Sequence, residues 1–105
     1  MRPIELQRQA IELLNRLTKE PISPRKRQDL DNALKKQTVY IRVKQTDKEI
    51  ASNLSRLHGH ISLALQAFPN LKNKYPEALT LLPEIDAFVK GVTGEFTRPG
   101  DNSVA

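Results

Sequence analysis

The chain contains no cysteine and no tryptophan, and only four of its 105 residues are glycine. Without cysteine, disulfide bonds and thiolate-ligated zinc sites are excluded, and the composition is typical of a reducing compartment. The apolar runs are a few residues long, which is too short for a signal peptide or a membrane-spanning helix. None of the glycines lies in a phosphate-cradling loop of the nucleotide-binding type. We therefore expect a cytoplasmic protein that does not bind membranes.

Groups that could perform catalysis or bind a metal are also scarce. His58 and His60 are two residues apart, so on a helix they point about 200° away from each other and cannot bind the same metal ion. No cysteine is present to complete a site, and no nucleophile lies beside an evident base. The sequence therefore predicts no enzyme, no metal site, no cofactor and no small-molecule substrate.

Apolar residues recur at helical spacing through most of the chain. They predict one amphipathic helix from Ile4 to Leu17 and a second one that begins after the N-cap pair Ser23-Pro24. A capping box formed by Thr46 and Glu49 predicts the start of a third helix. The apolar stripe of this third helix is the clearest pattern in the sequence: Ile50, Leu54, Leu57, Ile61, Leu65 and Phe68.

Two regions are less regular. The stretch TVYIRV at 38–43 is rich in β-branched residues and could be a strand, but VTGEFT at 92–97, the other strand candidate, is broken by Gly94. We favour a helix at 38–43, because a single strand has no partner. After Phe68, prolines predict a turn at 71–75 and a short helix from Pro76, which Pro83 either kinks or ends; Gly91 is the expected C-cap.

These patterns predict an all-α fold, a small bundle of about four helices with a flexible C-terminal tail. Residues 1–92 form a single helical domain in this interpretation, and residues 93–105, which lack apolar periodicity, form a disordered tail.

The stretch EIASNLSRLHGHISLAL resembles the helix-turn-helix pattern of DNA-binding proteins. Ile50 and Ile61 would be core residues, and Ala51 would lie where the two helices cross. The usual turn glycine is replaced by Ser55, however, and Gly59 comes four residues later. The apolar stripe also keeps its phase across the supposed turn, so we expect one continuous helix, with a helix-turn-helix at 47–68 as the less favoured alternative.

Positive charge is concentrated in one segment. The formal net charge is +5, and residues 25–44 contain seven Lys and Arg residues but only two Asp residues. Such a segment suits contact with a phosphate backbone, which gives affinity without sequence specificity; the alternative is a solvated outer helix face. The residues predicted to bind nucleic acid are Arg25, Lys26, Arg27, Lys35, Lys36 and Arg42.

Small residues form a second distinctive face on the third helix. They are spaced 3, 4 and 3 residues apart on the side opposite the leucine stripe, and a mid-helix glycine costs about 1 kcal/mol relative to alanine. We interpret this face as a docking surface for a partner chain or for another helix of the same molecule, with a solvated face as the alternative. The predicted interface consists of Ser52, Ser55, Gly59, Ser62 and Leu63.

The leading prediction from the sequence is therefore a non-catalytic helical interaction module, an accessory or regulatory subunit of a larger assembly, which binds a protein partner or itself. The alternative is a nucleic-acid-binding protein that contacts the phosphate backbone of DNA or RNA through the basic second helix.

Overall fold

The computed structural model describes residues 2–97, with side chains up to Val92. Five helices and no strand occur in this part of the chain, so the predicted all-α fold is confirmed. None of these helices combines the length and the apolarity needed to cross a bilayer. The helices are α1 (Pro3–Thr18), α2 (Pro24–Tyr40), α3 (Asp47–Ala67), the five-residue α4 (Asn70–Lys74) and α5 (Ala78–Thr97).

The predicted N-caps of α2 and α3 are confirmed. The Ser23 hydroxyl accepts a hydrogen bond from the Lys26 amide at 3.2 Å, and Pro24 occupies the first helical position. The Glu49 amide donates to the Thr46 hydroxyl at 3.1 Å, while the Thr46 amide donates to the Glu49 carboxylate at 2.8 Å. Both caps satisfy backbone donors that have no partner within the first helical turn.

Helix α3 runs through 21 residues without a turn, so the single-helix interpretation is confirmed and a helix-turn-helix at 47–68 is wrong. The physical reason is the unbroken apolar stripe, five of whose six residues are buried, with Phe68 partly buried against the same core. In the stretch TVYIRV, residues 38–40 end α2 and the next two form a turn, so the preference for a helix holds for the first half only.

Helix α5 is longer than predicted. It continues through Pro83, so of the two predicted alternatives the proline does not end the helix; Leu81 and Ile85 on either side of it are buried and hold the helix against the core. It also passes through Gly91, whose φ is not positive and which therefore makes no left-handed C-cap. The first five residues of the predicted tail at 93–105 are helical, and residues 98–105 lie outside the described part of the chain.

Helices α1 and α3 form the centre of the bundle, with α2 packed on one side and α5 on the other. Complete burial of a leucine or isoleucine side chain contributes roughly 1.5 to 3 kcal/mol, so the bundle depends mainly on α1, α3 and α5. Helix α2 is held more lightly, since Leu30 is its one buried apolar residue. This light packing leaves a groove between α2 and α3.

A buried carboxylate connects the α1–α2 loop to the segment between α4 and α5. Glu20 accepts hydrogen bonds from the Tyr75 hydroxyl and, at 3.0 Å, from the Lys74 ammonium. These two donors, Tyr75 first, hold the pKa of Glu20 below its ordinary value of 4.5, although burial acts in the opposite direction. The same hydrogen bond, together with burial, raises the pKa of Tyr75.

Candidate functional site

The groove between α2 and α3 brings charged and ring-bearing side chains from both helices together. Its volume is about 530 Å³, which lies within the range of ligand-binding clefts. One face of α2 from Lys26 to Tyr40 forms one wall, and α3 forms the opposite wall. The lining residues are Lys26, Asp29, Asn32, Ala33, Lys36, Gln37, Tyr40, Arg56, Leu57, His60 and Leu63.

The groove is positively charged. Lys26 and Lys36 lie along its α2 wall and Arg56 lies on its α3 wall, whereas Asp29 is the one carboxylate among the described lining residues. None of the three cationic side chains makes an ion pair or a side-chain hydrogen bond with any residue of the described part. Their charges are therefore available to a ligand.

Two rings, Tyr40 and His60, are half-buried in the same groove. Burial lowers the pKa of His60 below its ordinary value of 6.5; the Asp29 carboxylate acts in the opposite direction, and the Lys26 ammonium lowers the pKa further. His60 is therefore mostly neutral at pH 7, and it contributes a flat ring with one hydrogen-bond donor and one acceptor rather than a fourth charge.

A closed ring of four amide side chains fixes α2 against α1 and α3. The Asn53 amide donates to Gln45 at 2.8 Å, and Gln45 donates to Gln7 at 3.0 Å. Gln7 in turn donates to Gln37 at 3.3 Å, and Gln37 donates to Asn53 at 3.5 Å. Because buried amides must be hydrogen-bonded, this ring restrains the position of Gln37 and hence of the α2 wall of the groove.

The six basic residues predicted to bind nucleic acid do not act as one group. Lys26 and Lys36 line the groove, whereas Arg25 and Lys35 of α2 and Arg42 just beyond its end are exposed outside the groove lining. Lys35 lies 3.6 Å from Asp31 in an exposed i,i+4 pair, an interaction worth at most about 1 kcal/mol.

Arg27, the sixth predicted residue, caps α1. Its Nε donates to the Thr18 carbonyl at 3.0 Å, and its Nη2 donates to the Glu20 carbonyl at 2.7 Å. The Thr18 carbonyl is at the end of α1, where carbonyls lack intrahelical partners, whereas the Glu20 carbonyl lies in the following loop and also accepts from the Ile22 amide at 2.8 Å. The two bonds of Arg27 join the start of α2 to the end of α1. The guanidinium of Arg27 is thus already used within the fold.

The predicted small-residue interface is divided between different surroundings. Ser52 and Ser55 line a cleft of about 430 Å³ between α3 and α5, and Leu63 lies in the α2–α3 groove. Ser62 Oγ lies 3.4 Å from His58 Nδ1 beside α5. A Cβ atom built on Gly59 would meet nothing within 4 Å in the described structure. Close approach by another helix of the same molecule therefore does not explain this glycine, and docking of a partner chain stays a prediction.

Among the groove residues that were not predicted to bind a ligand, Arg56 carries a positive charge and His60 and Tyr40 carry rings. Arg56 and His60 are four residues apart on α3, each directly before a buried stripe residue, which places both on the flank that faces α2. The four-residue spacing could have predicted that Arg56 and His60 lie on the same face of α3. It could not have shown that the neighbouring helix is the basic α2, because that depends on the packing of the bundle.

Comparison of this chain with protein-family models, with curated proteins and with solved structures finds no match.

Proposed function

We propose that this protein is a non-catalytic interaction module that binds an anionic chain along the groove between α2 and α3. Phosphate or carboxylate groups of the ligand lie against Lys26, Lys36 and Arg56. In this proposal the protein acts as an accessory or regulatory subunit of a larger assembly in the cytoplasm, and the bound chain belongs to that assembly.

The main support for the proposal is that cationic side chains of two different helices line the same cleft. A solvated helix face directs its lysines away from neighbouring elements, where they repel one another least. Here Arg56 of α3 shares a groove with Lys26 and Lys36 of α2, and no ion pair within the described residues neutralises them. Such an arrangement concentrates positive potential and favours an anionic ligand.

Further exposed cations lie on α2 and just after it. Arg25, Lys35 and Arg42 are exposed and lie on α2 or just beyond its end, outside the groove lining. A ligand longer than the groove would meet them next. Exposed charges of this kind mainly increase the rate of association and make it dependent on salt.

Fluorescence anisotropy tests the proposal with three labelled anionic chains of similar length: a single-stranded oligonucleotide, a DNA duplex and polyglutamate. The groove variant combines Lys26→Ala, Lys36→Ala and Arg56→Ala. The matched control combines Arg8→Ala, Lys19→Ala and Lys72→Ala, which removes the same charge from exposed positions outside the groove.

At least one of the three chains should bind the wild type and the control, and binding to the groove variant should be about tenfold weaker or more, which corresponds to a loss of only 1.4 kcal/mol over three contacts. If the ligand is a nucleic acid, the salt dependence should also decrease by roughly 2 to 3 in log–log slope. Absence of binding to all three chains at low salt, or equal losses in both variants, would contradict the proposal.

A further inference from the structure

We infer that the anionic chain is a single strand of nucleic acid, whose phosphates contact the three groove cations while a base stacks in the groove on Tyr40. This inference rests on the proposed function and names the partner of the same site.

The shape of the site favours a single strand over a duplex. The groove lies between two packed helices, and the axes of packed helices are commonly about 8 to 10 Å apart. A duplex is a wide cylinder with its bases stacked inside, so it would touch only the rims of such a groove. A single strand can enter it, because its backbone is one chain wide and its bases can turn away from one another.

The lining favours a nucleic acid over an acidic peptide. Tyr40 and the mostly neutral ring of His60 lie in the groove together with Leu63, whose side chain is 54% exposed although it is apolar. An acidic peptide would satisfy the cations but leave these ring and apolar surfaces in water. A nucleotide brings a flat, weakly polar base together with its phosphate, and stacking on an aromatic side chain contributes to binding whatever the base is.

The same lining provides little means to read the base sequence. Discrimination between bases needs hydrogen bonds to their edges, commonly from Asn, Gln or Arg side chains. Of these residue types in the lining, Gln37 is already used in the buried ring with Gln7 and Asn53. Asn32 accepts a hydrogen bond from Gln28 at 3.1 Å, and Arg56 contacts a phosphate in this inference. We therefore expect binding with little dependence on sequence.

Tyrosine fluorescence gives a direct test, because the chain has two tyrosines and no tryptophan. In a Tyr75→Phe variant, Tyr40 is the only tyrosine left. Saturation with unlabelled oligo-dT should quench its emission, whereas polyglutamate or a DNA duplex of the same length should leave it largely unchanged. Unchanged emission under conditions where anisotropy shows that oligo-dT is bound would overturn the inference.

Two substitutions at Tyr40 complete the test. Tyr40→Leu should weaken binding of single-stranded DNA and RNA roughly 5- to 150-fold, the loss expected for one stacked base, and Tyr40→Phe should retain most of the affinity. Circular dichroism checks that each variant is folded. The fluorescence test retains Tyr40 and therefore does not depend on the two Tyr40 variants.

The outcomes separate the inference from the proposed function. Equal affinity for duplex and single strand combined with an unaffected Tyr40→Leu variant, or binding of polyglutamate alone, would overturn the single-strand inference while the groove remains an anion-binding site. Absence of binding to all anionic chains would overturn both.

Discussion

Replacing Gln37 by methionine should destabilise the bundle although it preserves the size of the side chain. Gln37 is 3% exposed and is the α2 member of the buried amide ring. Methionine fills a similar space without a polar head, so the change tests the hydrogen bonds rather than the packing.

The expected loss of stability follows from the hydrogen-bond partners that Gln37→Met leaves unpaired. The Asn53 carbonyl accepts from Gln37 and from no other side chain of the described part, and Asn53 is 8% exposed. The Gln7 amide retains an acceptor in Gln45, at 3.4 Å. One buried acceptor therefore loses its partner, which costs about 1 to 3 kcal/mol. For a chain of this length the melting temperature should fall by roughly 4 to 12 °C.

Thermal and urea denaturation followed by circular dichroism measure the change. The matched control is Gln28→Met on the exposed side of the same helix, which should alter the free energy of unfolding by less than about 0.5 kcal/mol. In a double variant, Asn53→Leu removes the stranded acceptor, so the two substitutions together should cost less than the sum of their separate effects. A Gln37→Met variant as stable as the wild type would refute the reasoning.

Three further predictions concern other parts of the structure. Gly59→Ala should raise the free energy of unfolding by about 0.5 to 1 kcal/mol, because a Cβ atom there meets open space in a helix; a lower stability would contradict this. The stability contributed by Glu20 is complete above its ordinary pKa of 4.5 and is lost as the pH falls through its lowered folded pKa. Glu20→Gln should therefore be less stable than the wild type at pH 7, with a difference that narrows below pH 4.5; a constant difference between pH 7 and pH 3 would count against the contact with Tyr75 and Lys74. Binding of an anionic chain should tighten as the pH falls from 7 through the lowered pKa of His60, since the imidazolium adds a cation beside Lys26, and His60→Ala should remove that increase.

Local signals in the sequence predicted much of the fold. The capping box of Thr46 and Glu49 specifies where α3 begins, and the stripe from Ile50 to Phe68 specifies which face is buried. Both signals depend on residues within a few helical turns of one another, so the sequence alone is enough to locate the start of α3 and its buried face. Pro83 does not end α5 and Gly91 does not cap it, because the conformational preferences of these two residues amount to about 1 to 3 kcal/mol, which the burial of Leu81 and Ile85 can offset.

The candidate site could be predicted only in part. Lys26 and Lys36 were recognised from the charge of their segment, but Arg56 comes from a different helix, and its place opposite them depends on how α2 packs. Arg27 belongs to the same charged run, yet it caps α1, because the α1–α2 loop returns the chain to the carbonyls of Thr18 and Glu20. Charge composition alone does not distinguish a ligand-binding arginine from one that completes a helix end.

The most direct test of the groove as the binding site is a two-dimensional ¹⁵N–¹H NMR titration of the full chain with oligo-dT. If this groove binds the strand, the largest amide shifts occur in residues that line it and not the α3–α5 cleft, especially Lys36, Tyr40 and His60, while α5 and the outer side of α1 change little. Shifts centred on the cleft between α3 and α5, or shifts spread evenly over all exposed cations, would contradict it.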